Sequence, residues 1–176
     1  MPTSRTRPVG STTRAELALG PVTLRRVANL VNLSTLAGWA LARSRGVPLS
    51  PGPHGLWVAW GYPRAFPAPR ASAVTVGDVV LVRDGAAVTA ARRPRLLDHE
   101  ARHAAQWACL PVVFLPLYAV ASLWSLARTG HPAHANVFEV AAGLTDGGYR
   151  PGRDGSGGQV RRAGPGSPGR ARRRDR

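Results

Sequence analysis

The chain has 176 residues, a formal net charge of +15 supplied entirely by arginine, and one cysteine. That length allows one domain and little more, and a single Cys109 excludes an internal disulfide and a thiolate zinc cluster. Residues 1–45 hold seven Arg and one Glu, 46–149 eight Arg and six acids, and 150–176 nine Arg and two Asp, so the charge sits at the ends; with no recognition motif beside it, it predicts nonspecific polyanion contact through the C-terminal tail and no specific nucleic-acid partner.

Residues 1–20 are rich in Ser, Thr, Arg, Pro and Gly and read as a flexible arm. From Val22 to Ala42, Leu24, Val27, Leu30, Val31, Leu36 and Leu41 recur at helical spacing, with Pro21 at the start and Gly46 beyond the end. One long helix packed on the rest of a domain spanning 21–149 is the expectation. Arg25-Arg26 and the apolar run after them imitate a late signal peptide, but Asn29, Asn32, Ser34 and Thr35 interrupt that run. The expected location is cytoplasmic, with membrane association as the alternative.

Leu56 to Trp60 reads as a strand between loops rich in Pro and Gly. Ala73–Val76 and Val79–Val82, separated by Gly77-Asp78, predict a hairpin, and Ala87-Val88-Thr89 a little more strand. Val79 to Val82 is the segment expected to hold an extended peptide by strand addition, unless the hairpin only covers the core. The fold class is therefore α+β: a small, mainly helical domain with a short hairpin or sheet ahead of the next helix.

That helix, expected near 94–110 between Pro94 and Pro111, carries His99-Glu100-Ala101-Arg102-His103, the pattern H-E-x-x-H. Side chains four apart on a helix share a face, so the two imidazoles can meet one metal ion. Zinc takes neutral imidazole nitrogens, and a glutamate beside it can accept a proton from a water and pass it on. His99 and His103 are thus candidate ligands and Glu100 the candidate base.

Residues 104–127 contain no charge and reach bilayer-spanning length, but Pro111 and Pro116 cut them. Two helices joined near Pro111 are expected, the second running from Val112 or Leu117 to Arg128 and buried against the first and against 22–42. Membrane insertion or surface attachment is the alternative. Cys109, inside this run, reads as a small core residue. After a loop with His131 and His134, Asn136 is a good N-cap for a short helix Val137–Ala142, which places Glu139 in its first turn. Residues 150–176 are Gly, Pro, Ser and Arg with almost nothing apolar, which predicts a disordered basic tail.

A catalytic zinc site wants a third protein ligand. His131, His134, Glu139 and Asp146 are the downstream candidates. A third histidine six residues after His103 is ruled out, because that position is Cys109. Glu139, on a separate helix, suits a two-histidine pair, its alternative role being to cap its own helix.

The stretches Leu97–Trp107, Phe114-Leu115-Pro116-Leu117-Tyr118, Asn136-Val137-Phe138-Glu139 and Gly143–Tyr149 resemble a group of small actinobacterial proteins. In that group an H-E-x-x-H-x-x-Q helix is followed by F-L-P-x-Y and N-P-F-E elements, and the resemblance covers roughly residues 22–149. The group looks gluzincin-like, similar to minimal zinc metallopeptidases of the thermolysin type. The resemblance implies Zn2+ on His99, His103 and Glu139, Glu100 as base, and a peptide or protein substrate. Val137 stands where the group has proline, and Ala142 and Gly143 stand where a carboxylate behind the ligands is usual. His131, His134 and Tyr149 are the local choices for stabilising an oxyanion, and Asp98 or Gln106 for orienting the imidazoles. The competing expectation is a catalytically silent zinc-stabilised or membrane-associated protein.

Overall fold

The computed structural model describes residues 20–63 and 71–149. The arm before residue 20 and the basic segment 150–176 lie outside the described residues. The elements are helices α1 (Pro21–Val31) and α2 (Ser34–Ser44), strands β1 (Leu49–Pro51), β2 (Trp57–Trp60), β3 (Ala73–Val76) and β4 (Val79–Val82), then helices α3 (Ala86–Arg92), α4 (Leu96–Cys109), α5 (Phe114–Thr129) and α6 (Val137–Ala142). The fold is α+β, with the sheet completed before the H-E-x-x-H helix.

The four strands order as β1-β2-β4-β3, with β2 and β4 parallel and the other pairs antiparallel. Helix α4 covers one face, where Val58, Val80 and Val82 meet Leu96 and Ala104. Helix α2 covers the other, where Ala59, Val79 and Leu81 meet Ala42. Both faces of β4 are therefore buried, and its sequence is an unbroken apolar run, as a doubly covered strand requires. The β3–β4 hairpin forms as expected, turning through Gly77 at φ +60°. A Cβ at Gly77 would lie 2.3 Å from the Thr35 backbone nitrogen, so the turn packs directly on the start of α2.

Five expectations are corrected. The helix from Val22 to Ala42 is two helices, broken at Asn32-Leu33 with Leu33 left-handed at φ 66°. The polar residues that interrupt its apolar run cause the break: Ser34 N donates to Asn32 Oδ1, while Asn29 and Asn32 donate to the carbonyls of Ala104 and Trp107. These bonds compete with continued helix and tie the corner to the end of α4. Ala87–Thr89 is helical, since four of the seven residues of α3 are alanine. Strand β4 lies inside the sheet, so Val79–Val82 has no free edge; β3 is the edge beside α4. Finally, α5 is not buried: only Phe114 and Ser125 of its sixteen residues are, and Cys109 is exposed.

Candidate metal centre

Three elements bring the chemistry together. Helix α4 places His99, Glu100 and His103 on its inner side, all buried. Helix α6 starts at Asn136, whose side chain accepts from Phe138 N, and its first turn carries Glu139 inward. Glu139 does not fold back to cap its own helix; the Asn136 N–H donates instead to the Ala133 carbonyl.

The donor atoms converge. His99 Nε2 and His103 Nε2 are 3.1 Å apart, His99 Nε2 lies 3.3 Å from Glu139 Oε2, and His103 Nε2 lies 3.6 Å from Glu139 Oε1. A tetrahedron with bonds of about 2.0–2.1 Å has edges of about 3.3–3.4 Å, so these separations bracket those of three ligands around one zinc-sized ion. Among the described residues this trio is the one buried His and carboxylate cluster able to hold a metal.

The imidazole tautomers are set from behind. His99 Nδ1 lies 3.0 Å from the carbonyl oxygens of both Ala142 and Gly143, so it carries the proton and donates it there. His103 Nδ1 donates to Gln106 Oε1 at 2.7 Å, and the Gln106 amide is oriented by its Nε2 donating to the Phe138 carbonyl at 2.9 Å. Both Nε2 lone pairs therefore face Glu139, the arrangement a metal ligand needs. Positions 142 and 143 carry no carboxylate, and the backbone carbonyls of Ala142 and Gly143 hold the His99 ring from behind. Arg102 holds them in place, donating to the Ala142 carbonyl at 2.6 Å and to Asp146 at 2.8 Å.

Comparison with protein-family models, curated proteins and solved structures returns no match.

Of the two residues expected to orient the imidazoles, Gln106 does so; Asp98 points outward to His54 Nε2 at 2.7 Å. Asp146, once a candidate ligand, is spent on Arg102 and Arg95. His131 and His134 stack on one another at 4.1 Å outside the cavity, leaving Tyr149, whose ring is 6.3 Å from that of His99, as the oxyanion candidate facing in.

Tyr118 and Thr75 were missed in the sequence. Tyr118 donates its hydroxyl to Glu139 Oε1, and Thr75 donates to Glu100 Oε2 at 2.6 Å. The signals were faint: Tyr118 shares a helix face with Phe114, and Thr75 is a polar residue amid valines. A cavity of about 370 Å³ opens beside these groups, lined by His99, Glu100, His103 and Glu139 together with apolar residues such as Leu41, Val74, Trp107 and Leu115.

Electrostatically the cluster is strongly coupled. Burial by itself would raise the Glu139 pKa, but the facing His103 and His99 imidazoles and the Tyr118 hydroxyl outweigh it and hold the carboxyl well below its usual range. Burial likewise opposes charge on His103, yet the facing Glu139 carboxylate and the nearby Glu100 charge raise its pKa above the ordinary value. Burial, reinforced by the same carboxylates, pushes the Tyr118 and Tyr149 phenols well above the ordinary value, so both remain O–H donors at neutral pH. Glu139 Oε2 is buried with no hydrogen-bond partner from the protein. A buried carboxylate with one orphaned oxygen, facing two imidazole lone pairs, is costly unless a cation answers it, so the donor set fits a divalent metal.

Proposed function

We propose that this chain is a zinc-dependent metallopeptidase of gluzincin-like type, with His99, His103 and Glu139 as zinc ligands and Glu100 as general base. The observation that carries the reading is the convergence of two tautomer-fixed Nε2 atoms on the Glu139 carboxylate, whose Oε2 has no hydrogen-bond partner. Two imidazoles and one carboxylate form a ligand set suited to zinc with a position left open. Zinc held there would supply a Lewis acid for an amide carbonyl and an acidified water.

The chain's own groups divide the remaining work. Glu100 follows His99 on α4, and the Thr75 hydroxyl fixes one of its oxygens; it accepts the water proton and returns it to the leaving amine. Tyr149, protonated and facing the cavity, is positioned to donate to the carbonyl oxygen as charge develops on it. The edge strand β3 offers backbone groups to an extended substrate, in place of the interior β4. Structural zinc sites are closed, whereas the cavity of about 370 Å³ reaches the ligands and the base together, which favours turnover over a stapling role.

The test is metal analysis of the purified full chain together with peptide-library hydrolysis. One zinc per chain, lost in Glu139→Ala and kept in Glu100→Gln, with hydrolysis lost in both, is the expected pattern. Stoichiometric iron, or zinc bound without any hydrolysis by the unaltered chain, would overturn the peptidase reading.

A further inference from the structure

The large apolar side chains exposed among the described residues, except Val88, Val137 and Val140, come from two segments, 22–41 and 112–126. The fold brings the middle of the first segment and the start of the second to one end of the molecule. Asn29 and Asn32 hold the α1–α2 corner against the carbonyls of Ala104 and Trp107 at the C-terminal end of α4. From that same end the chain continues through Val112 and Val113 into α5. Val31 and Leu33, exposed by 76% and 62%, therefore share an end of the molecule with Val112, exposed by 85%. Both segments also line the catalytic cavity, through Ala37 and Leu41 on one side and Leu115 and Tyr118 on the other.

Charge is distributed just as unevenly. Residues 20–63 contain no acid, nor does any position between Glu100 and Glu139, while Arg26, Arg43, Arg45 and Arg128 are exposed there. The acids outside the metal cluster lie elsewhere: Asp78 is buried against Arg25, Asp84 follows β4, Asp98 is in the first turn of α4, and Asp146 bridges Arg95 and Arg102. A broad apolar face fringed only by arginine complements an anionic lipid surface. A second copy of the chain fits it poorly, because pairing two such faces would set arginines against arginines with no acid to answer them.

We propose that the face formed by α1, the α1–α2 corner, the 110–113 connection and α5 docks on an anionic bilayer, with the catalytic cavity opening beside it. It lies in the interface and does not cross. The sixteen residues of α5 span only about 24 Å against a hydrocarbon core of about 30 Å. Among the described residues no helix is long and apolar enough to cross a membrane. Trp124 on α5, exposed by 61%, is the residue type that settles at the headgroup level. Docking is independent of the hydrolytic reading, since it uses no atom of the metal cluster.

Flotation of the full chain with phosphatidylcholine vesicles, with and without phosphatidylserine, tests this. The chain is expected to float with the serine-containing vesicles and to stay bound when salt is raised after capture, because insertion of apolar side chains is not screened. Brominated acyl chains are expected to quench Trp fluorescence, and Trp124→Phe to reduce that quenching. The double variant Leu123→Ser/Trp124→Ser should weaken vesicle binding by about tenfold or more, with its thermal unfolding unchanged because both positions are exposed. Three results would overturn the proposal: no flotation, binding fully reversed by salt and indifferent to the double variant, or a lipid-free oligomer that the same variant dissociates.

Discussion

The Tyr118 hydroxyl donates to Oε1 of Glu139 while Oε2 of the same carboxylate has no protein partner. One oxygen is fixed from α5 and the other is left for a cation, so Tyr118 determines which way the carboxylate faces. Tyr118→Phe keeps the ring contacts with Phe114 and Phe138 and removes only this donor. Loss of an outer partner of a ligand typically weakens metal binding about 10–100-fold. Competition against a chromophoric chelator should show a fall of that size, and an unchanged affinity would remove Tyr118 from the site.

Metal affinity should rise with pH. A proton on His103 Nε2 competes directly with a cation, and the His103 pKa stands above its ordinary 6.5. In metal-free protein the pair works the other way. The raised His103 pKa contributes stability that is fully present below 6.5 and is lost as pH rises through the folded value. The depressed Glu139 pKa contributes stability present above 4.5 and lost as pH falls through the folded value. The metal-free pair is thus most stabilising between those ordinary values, and the zinc increment grows above them. Thermal unfolding with and without zinc should show a wider gap in Tm at mildly alkaline than at mildly acidic pH, and a pH-independent gap would contradict this.

The corner between α1 and α2 carries a stability prediction. Asn29 is fully buried and donates to the Ala104 carbonyl at 2.9 Å. Asn29→Ala deletes that donor and leaves the Ser34 hydroxyl one acceptor fewer. Leaving buried polar groups unpaired costs about 1–3 kcal/mol, which urea unfolding of the metal-free chain would register. A change within about 0.5 kcal/mol, as for an ordinary surface substitution, would mean the corner is held by other contacts.

The residues behind this corner also show where the sequence was readable. The H-E-x-x-H helix, the Gly77-Asp78 hairpin and the short helix capped by Asn136 follow from spacing and turn chemistry, which are local; that Glu139 turns inward and does not cap that helix does not. Asn29 and Asn32 could be read only as interruptions of a helix, because their partners lie 75 residues away on α4. The placement of β4 inside the sheet depends on its parallel pairing with β2, a nonlocal choice that no hairpin signal specifies. The hold of the Ala142 and Gly143 carbonyls on the His99 ring was invisible for a simpler reason, since backbone atoms leave no trace in residue identity. Apolar composition predicted burial of α5; on its outward face, as on the exposed apolar side chains of 22–41, composition and position disagree.

Gly147 packs against the ring of His99, where a Cβ would stand 2.7 Å from Cε1 and 2.9 Å from Nε2. Its backbone is not in the left-handed region, so Gly147→Ala introduces a clash without conformational strain of its own. Either the imidazole swings off the line to Glu139 or the loop from Gly143 to Tyr149 lifts and takes Tyr149 out of the cavity. Overpacking of this kind costs about 1–3 kcal/mol, and metal affinity should fall with it because Nε2 moves. A double-mutant cycle separates the cause. In a His99→Ala background the ring is gone, so adding Gly147→Ala should cost close to nothing in thermal unfolding of the metal-free protein. If the penalty persists without the ring, the loop's own packing, and not its contact with His99, fixes a glycine at this position.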